Sequence, residues 1–228
     1  ITEASKKYEN IVPIIKRPLM FQEIAKKITT YVDDDEIIVG GKGPYFFSSP
    51  AYPEWGLKSE WIPEAVRSGS WTMREDGLYH NPDNEEIKMS ISEEDCAALE
   101  EINEYWKGKK IGTVADAWQP EGYDELLSLG VCDYAERSGA GLIDLSAGHL
   151  IAGYPKILNK GYKAIRDEAV EWIRSHRGNL MGDDINKYMF YESARISAES
   201  AMIFVKRYAE AVAAKASECK DPARKAEL

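Results

Sequence analysis

The sequence predicts a mainly α-helical fold with a few short strands, and three observations carry that expectation. Apolar residues recur at one-turn spacing over long stretches, above all across 154–175 and 183–217. Residues suited to helix starts stand ahead of periodic stretches, as Pro18 and Ser92 do. β-Branched runs are short, and the clearest, Glu36-Ile37-Ile38-Val39, runs at once into Gly40-Gly41.

The chain opens at Ile1 without a methionine, in a stretch that already reads as structured, which points to a processed chain or a piece of something larger. A helix is expected from Pro18, whose missing N–H costs nothing in a first turn. Met20, Ile24, Ile28 and Tyr31 form its apolar stripe, while Lys26 and Lys27 face away. The acidic run Asp33-Asp34-Asp35-Glu36 closes it as a solvated turn, and 36–39 follows as a buried strand. Residues 40–90 are loop-rich, punctuated by Gly43-Pro44, Ser48-Ser49-Pro50, Tyr52-Pro53 and Asn81-Pro82, with a short helix over about 58–67. Gly40-Gly41-Lys42-Gly43 lacks the terminal Gly-Lys-Ser/Thr spacing of a phosphate loop and reads as a plain turn.

Ser92 is a suitable N-cap, with Glu93, Glu94 and Asp95 in the favourable first turn. The helix that follows is expected to bury Ala98, Leu99, Ile102, Tyr105 and Trp106 and to end at Gly108. Weaker helical stretches lie around 113–118 and 122–135. From Ser138 to His149 the chain is rich in small residues, nearly uncharged and without helical period, as a buried or cleft-lining loop would be. Two long helices come next. One, over about 154–175, would bury Ile157, Leu158, Ile165, Ala169 and Trp172; the other, over about 183–217, carries Ile185, Met189, Ile196, Ile203, Tyr208 and Val212. Asp221-Pro222 stops the last one, and a new helical segment begins at Ala223.

Composition excludes several classes of function. Hydrophobic residues make up 44% and charged residues 30%, and six Trp with thirteen Tyr supply a real core. The net charge of −10 argues against a nucleic-acid partner, which needs clustered Lys and Arg. No apolar run approaches the roughly 20 residues of a membrane span. Cys96, Cys132 and Cys219 form no CxxC pair, so neither a metal site nor a disulfide framework is implied, and the setting reads as reducing and cytoplasmic.

Several spaced signatures then resemble, in order, the N-terminal region of the glycyl radical enzymes of the pyruvate formate-lyase-like group. Ile1-Thr2-Glu3-Ala4 with Lys7-Tyr8 resembles an early helix end, and Asp35-Glu36-Ile37-Ile38-Val39-Gly40 the family's Asp-Glu-Leu-Ile-Val-Gly strand. Ser49-Pro50-Ala51-Tyr52-Pro53-Glu54, Ile91-Ser92-Glu93-Glu94 and Tyr105-Trp106-Lys107-Gly108-Lys109 follow. Gly148-His149 with Tyr154, Leu158 and Gly161 is similar to the family's Gly-His stretch, and Val205-Lys206-Arg207-Tyr208-Ala209 and Arg224-Lys225-Ala226-Glu227-Leu228 to its closing helices. The set covers nearly the whole chain and is nearest to the glycerol, propanediol and hydroxyproline dehydratase branch.

That resemblance implies residues 1–228 to be the N-terminal part of a ten-stranded α/β-barrel enzyme. It implies a lyase or dehydratase that breaks a C–O or other C–X bond of a small hydroxylated substrate by radical chemistry, in anaerobic metabolism. It implies a radical that a radical-SAM activase generates by removing hydrogen from a glycine, and that passes to a cysteine. Neither the Gly-Cys-x-Glu loop of that cysteine nor the Arg-Val-x-Gly-Tyr loop of that glycine occurs here, so both are expected beyond Leu228 and the chain alone is expected to be inactive. The implied partners are the substrate, the activase, the remainder of the polypeptide and a second copy in a homodimer. His149 corresponds to the histidine that hydrogen-bonds the departing hydroxyl, a role suited to an imidazole titrating near neutrality. Gly141 holds the family's substrate-dependent lining position, polar or aromatic elsewhere; beside Leu142 and Ile143 it implies a larger, more apolar pocket and puts glycerol in doubt.

Two other readings suit parts of the sequence. The apolar surroundings of Gly141 would fit an arylacetate decarboxylase or a hydrocarbon-adding enzyme, neither of which requires His149. A non-catalytic helical module that binds a protein partner is the alternative from another class, and the chain downstream of Leu228 separates it from an enzyme.

Overall fold

The structure, a computed structural model, describes residues 1–34, 36–41, 43, 59–82, 89–110, 121, 122, 125, 129 and 153–228. Helices dominate these residues, with three two-residue strands beside them. The chain divides into two compact units: 3–50 and 151–228 with Ile1 form the first, and 51–150 with Thr2 the second.

Among its described residues the first unit is built on helices. Thr2–Lys7 (α1) is a short helix, followed by Pro13–Lys27 (α2). Pro13, not Pro18, stands in the first turn of α2; Pro18 is buried inside the helix, where its missing N–H removes one internal bond. Lys26 and Lys27 sit in the last turn, favourable to the helix dipole, and Ile28 turns the chain out at ψ 134°.

Tyr154–His176 (α5) and Asp184–Glu218 (α6) are the two long helices that the periodicity predicts, and Pro222–Glu227 (α7) follows under an Asp221 cap that accepts from the Ala223 N–H at 2.9 Å. α5 is two helices joined at Gly161, whose φ of 72° and ψ of 166° belong to a region that glycine alone adopts readily. α6 packs against α2, α5 and α7. With 35 residues it extends about 50 Å.

Burial on α6 explains why its pattern is blurred. Ile196 and Ser200 are buried on one side, and Tyr208, also buried, lies about 120° around from Ile196. Ala198, also buried, lies about 200° around the helix from Ile196 at about 100° per residue. A helix covered by two neighbours has no single apolar stripe. The predicted stripe therefore holds at Ile196 and Tyr208 and fails at Ile185, which is half exposed. Leu158 of α5 is likewise 81% exposed, although Ala169 is buried as expected.

The expected strand at 36–39 does not form. Glu36 to Val39 pairs with no strand among the described residues, and Ile37 and Ile38 are each 89% exposed.

The second unit pairs Trp61–Arg67 (α3) with Glu93–Trp106 (α4). Between them Thr72–Met73 (β1), Tyr79–His80 (β2) and Ser90–Ile91 (β3) form an antiparallel sheet in that order, Met73 opposite Tyr79 and Tyr79 opposite Ile91. Gly77, at φ 77°, makes the β1–β2 turn. Ser92 caps α4 by accepting the Asp95 N–H at 3.0 Å, as its position predicts. The buried residues of α4 are Cys96 and Trp106, with Leu99, Ile102 and Tyr105 half-buried; Ala98 is exposed. Trp71, buried, meets Trp61 edge to face at 5.7 Å, and Pro63 is fully buried nearby in sequence.

Candidate functional site

His149, Gly141, Leu142 and Ile143 lie outside the described residues, as do Cys132 and the weaker helical stretches expected around 113–118 and most of 122–135. The described chain resumes at Gly153, the N-cap of α5, with Pro155 in the first turn. Tyr154 and Leu158, one turn apart on the part of α5 before Gly161, are 63% and 81% exposed.

The described histidines and cysteines are engaged in local structure. His80 Nε2 lies 2.8 Å from Asp76 Oδ2 across the β1–β2 turn. The Leu78 N–H and then His80 hold the Asp76 carboxyl below the usual carboxylate range. His176 stacks on Trp172 with ring centroids 4.1 Å apart, and Tyr191 of α6 stacks on Trp172 at 4.4 Å, tying α5 to α6. Cys96 is buried, and burial pushes its thiol up, with Glu100 adding to the effect; a thiol so placed is a poor nucleophile. Cys219 donates weakly to Asp221 O at 3.5 Å. Among the described residues no group of three or more His, Cys, Asp or Glu side chains is arranged to hold a metal ion.

Two ionic clusters hold helices of the first unit. Glu23 of α2 accepts from Lys7 Nζ at 3.0 Å and from Tyr8 Oη at 3.1 Å, and the Lys7 bond in particular holds its carboxyl low. Arg195 on α6 makes paired bonds of 2.8 and 2.9 Å to Glu192 and a further one of 2.8 Å to Glu199. The Glu192 carboxyl is held low by Arg195.

A third convergence spans positions far apart in sequence. Arg207 donates to Ala25 O at 2.8 Å, taking one of the carbonyls left open at the end of α2. Buried Tyr208 accepts the Tyr31 N–H at 3.3 Å and donates to Gly41 O. Lys215 donates to Val32 O and pairs with Asp34 at 2.7 Å. Arg224 on α7 donates to Asp33 O at 3.2 Å and Glu36 O at 2.8 Å. Sequence reading placed Val205 to Ala209 and Arg224 to Leu228 only as pieces of a pattern; their targets are main-chain carbonyls, which carry no residue signature.

Comparison with known proteins places this geometry. A profile described as pyruvate formate lyase-like matches residues 1–228. (2S)-3-sulfopropanediol dehydratase of Klebsiella oxytoca is 25% identical, aligned over 100% of this chain and 26% of its own length. Trans-4-hydroxy-L-proline dehydratase of Clostridioides difficile is 29% identical over the same shares. Among solved structures, the glycerol-bound B12-independent glycerol dehydratase of Clostridium butyricum superposes with a TM-score of 0.75 at 28% identity, over 99% of this chain and 26% of that one. The chain spans about a quarter of the length of the curated relatives it matches.

Proposed function

Because the chain belongs to the pyruvate formate lyase-like family, matched over residues 1–228, we propose that it is the N-terminal region of a glycyl radical lyase or dehydratase acting on a small hydroxylated substrate. The whole-chain family match carries this reading. Relatives named as dehydratases and a sulfite-lyase support C–O or other C–X cleavage as the reaction class. The proposal includes a ten-stranded barrel in the rest of a longer polypeptide, activation by a radical-SAM enzyme, a homodimer and a cytoplasmic setting.

A glycyl radical held elsewhere in such a polypeptide would supply, by way of a cysteine there, hydrogen abstraction from the substrate. The residues present here do not fit the radical's own site. The sequence has neither radical loop, Cys96 is buried with its thiol pushed up, and Cys219 is bonded to Asp221 O. No radical step is assigned to them.

The role proposed for this chain is to line the substrate cleft with 138–151. His149 donates a hydrogen bond to the departing hydroxyl, easing C–O scission by offsetting charge on the leaving oxygen. Gly141, with Leu142 and Ile143, leaves that cleft roomier and more apolar than a polar side chain would, which argues for a substrate other than glycerol.

The test is His149→Ala in a polypeptide of the relatives' length. Turnover per radical is expected to fall about 10²–10⁴-fold, the usual worth of a positioned acid or base, while spin count stays level. Near-normal turnover per radical would overturn the assignment. His149→Gln, which keeps a donor, is the gentler variant if the alanine change prevents folding.

A further inference from the structure

We propose, resting on the role given to His149 above, that Gly161 is a positioning residue for the same reaction. The backbone turn at this glycine fixes the place and heading of the start of α5, to which His149 is joined by five residues of chain.

Residues 154–160 and 162–176 are each helical, and Gly161 between them stands at φ 72° and ψ 166°, a region essentially reserved to glycine. The bend is large. Lys156 Nζ lies 3.9 Å from Glu168 Oε2. In an unbroken helix those two positions are about 18 Å apart along the axis and on different faces. Two extended side chains and the 3.9 Å gap together do not span that distance. The pair therefore forms only because the chain folds back at Gly161. An ion pair at this distance holds little by itself, so it reports the bend rather than making it. From Lys156 to His176 the sequence has no proline and no glycine other than Gly161, so no other residue there is a helix breaker.

The piece ahead of the break is stiff. Pro155 stands in its first turn, and Gly153 O accepts the Lys156 N–H at 3.0 Å. Residues 154–160 make a lever about 10 Å long. A change of heading of about 20° at Gly161 therefore moves Tyr154 by roughly 4 Å. Catalytic geometry tolerates far less, since a misplacement of about 1 Å costs on the order of 10²-fold in rate. Joined to Tyr154 by so short a connection, His149 takes the start of α5 as its fixed point.

Cross-linking on the 228-residue chain tests the bend. A water-soluble carbodiimide couples a lysine amine to a carboxylate in contact with it, with loss of water, and peptide mass spectrometry reads the Lys156–Glu168 amide. Gly161→Ala, which disfavours the observed backbone angles, should lower its yield at least about fivefold. Equal yields would overturn the proposal. The effect on His149 is read in a polypeptide of the relatives' length. There Gly161→Ala should lower turnover per radical at least about tenfold, with KM nearly unchanged and spin count level. Near-normal turnover, or a change confined to KM, would overturn the proposal. In a His149→Ala background the same substitution should cost little more, because the glycine acts through the histidine. A loss that adds in full to that of His149→Ala overturns the positioning role and leaves the role of His149 intact. Near-normal turnover in His149→Ala alone overturns the role of His149 itself, whatever the cross-link shows. If Gly161→Ala does not fold, Lys160→Gly, which adds a second flexible point without strain, should lower turnover in the same His149-dependent way, and unchanged turnover would sink the assignment.

Discussion

Glu23 is a carboxylate that receives two donors from the end of α1 and the residue after it, and its position makes a pH test at the scale of a single side chain. Its folded pKa lies below the ordinary value of 4.5, first because of the Lys7 hydrogen bond, with Tyr8 adding to it against the opposing effect of burial. A depressed carboxyl contributes stability that is fully present above its unfolded pKa and is lost as pH falls through the folded value. On acidification below pH 4.5 the wild type should therefore lose urea resistance more steeply than Glu23→Gln. Parallel acid limbs in the two proteins would show that the pair contributes nothing to folding. Ser200 makes a packing test. It is fully buried, and its hydroxyl is satisfied by Ile196 O at 2.6 Å within its own helix. Ser200→Ala should be nearly neutral, whereas Ser200→Leu should lower the unfolding free energy by about 1–3 kcal/mol through overpacking. Chemical denaturation of the two variants checks both expectations.

Elements differed in how far their residues announced them. The bounds of α4, α5 and α6 were legible to within a few residues because caps and long periodicity are local signals, as Ser92 and Asp221-Pro222 illustrate. The start of α2 was misread because the helix holds two prolines, Pro13 and Pro18, and either one suits a first turn. The strand at 36–39 was misread for a different reason. β-Branched residues report a preference, but a strand exists only where a neighbour pairs with it. Of the candidate site, the pattern around Gly148-His149 only proposes residues, which lie outside the described ones, and a loop without period leaves contacts undetermined by sequence. The break inside α5 depends on Gly161, whose backbone angles a side chain would strain. Gly161→Ala should cost about 1–3 kcal/mol in thermal or urea unfolding, without loss of helical circular dichroism. A variant as stable as the wild type would mean that α5 straightens freely at this point.

At the scale of the molecule, we propose that the radical belongs to another region of the polypeptide, because these 228 residues carry neither radical loop. Incubated with an activase and its reductant, the 228-residue chain should yield no glycyl radical doublet by electron paramagnetic resonance; a doublet from this polypeptide would refute the assignment of the radical to another region. The pairing of α2 with α6 has a consequence in time rather than in space. Ala25 and Arg207, joined by a hydrogen bond, stand 182 residues apart. Chains grow on the ribosome at about 5–20 residues per second, so α2 emerges roughly 10–40 s before the helix that will cover it. The α5–α6 hairpin closes over a short connection and forms fast, whereas docking of α2 must await a much longer loop closure. Through that interval Met20 and Ala25 stand open to water and to other nascent chains, which gives α2 a need for a chaperone's shelter.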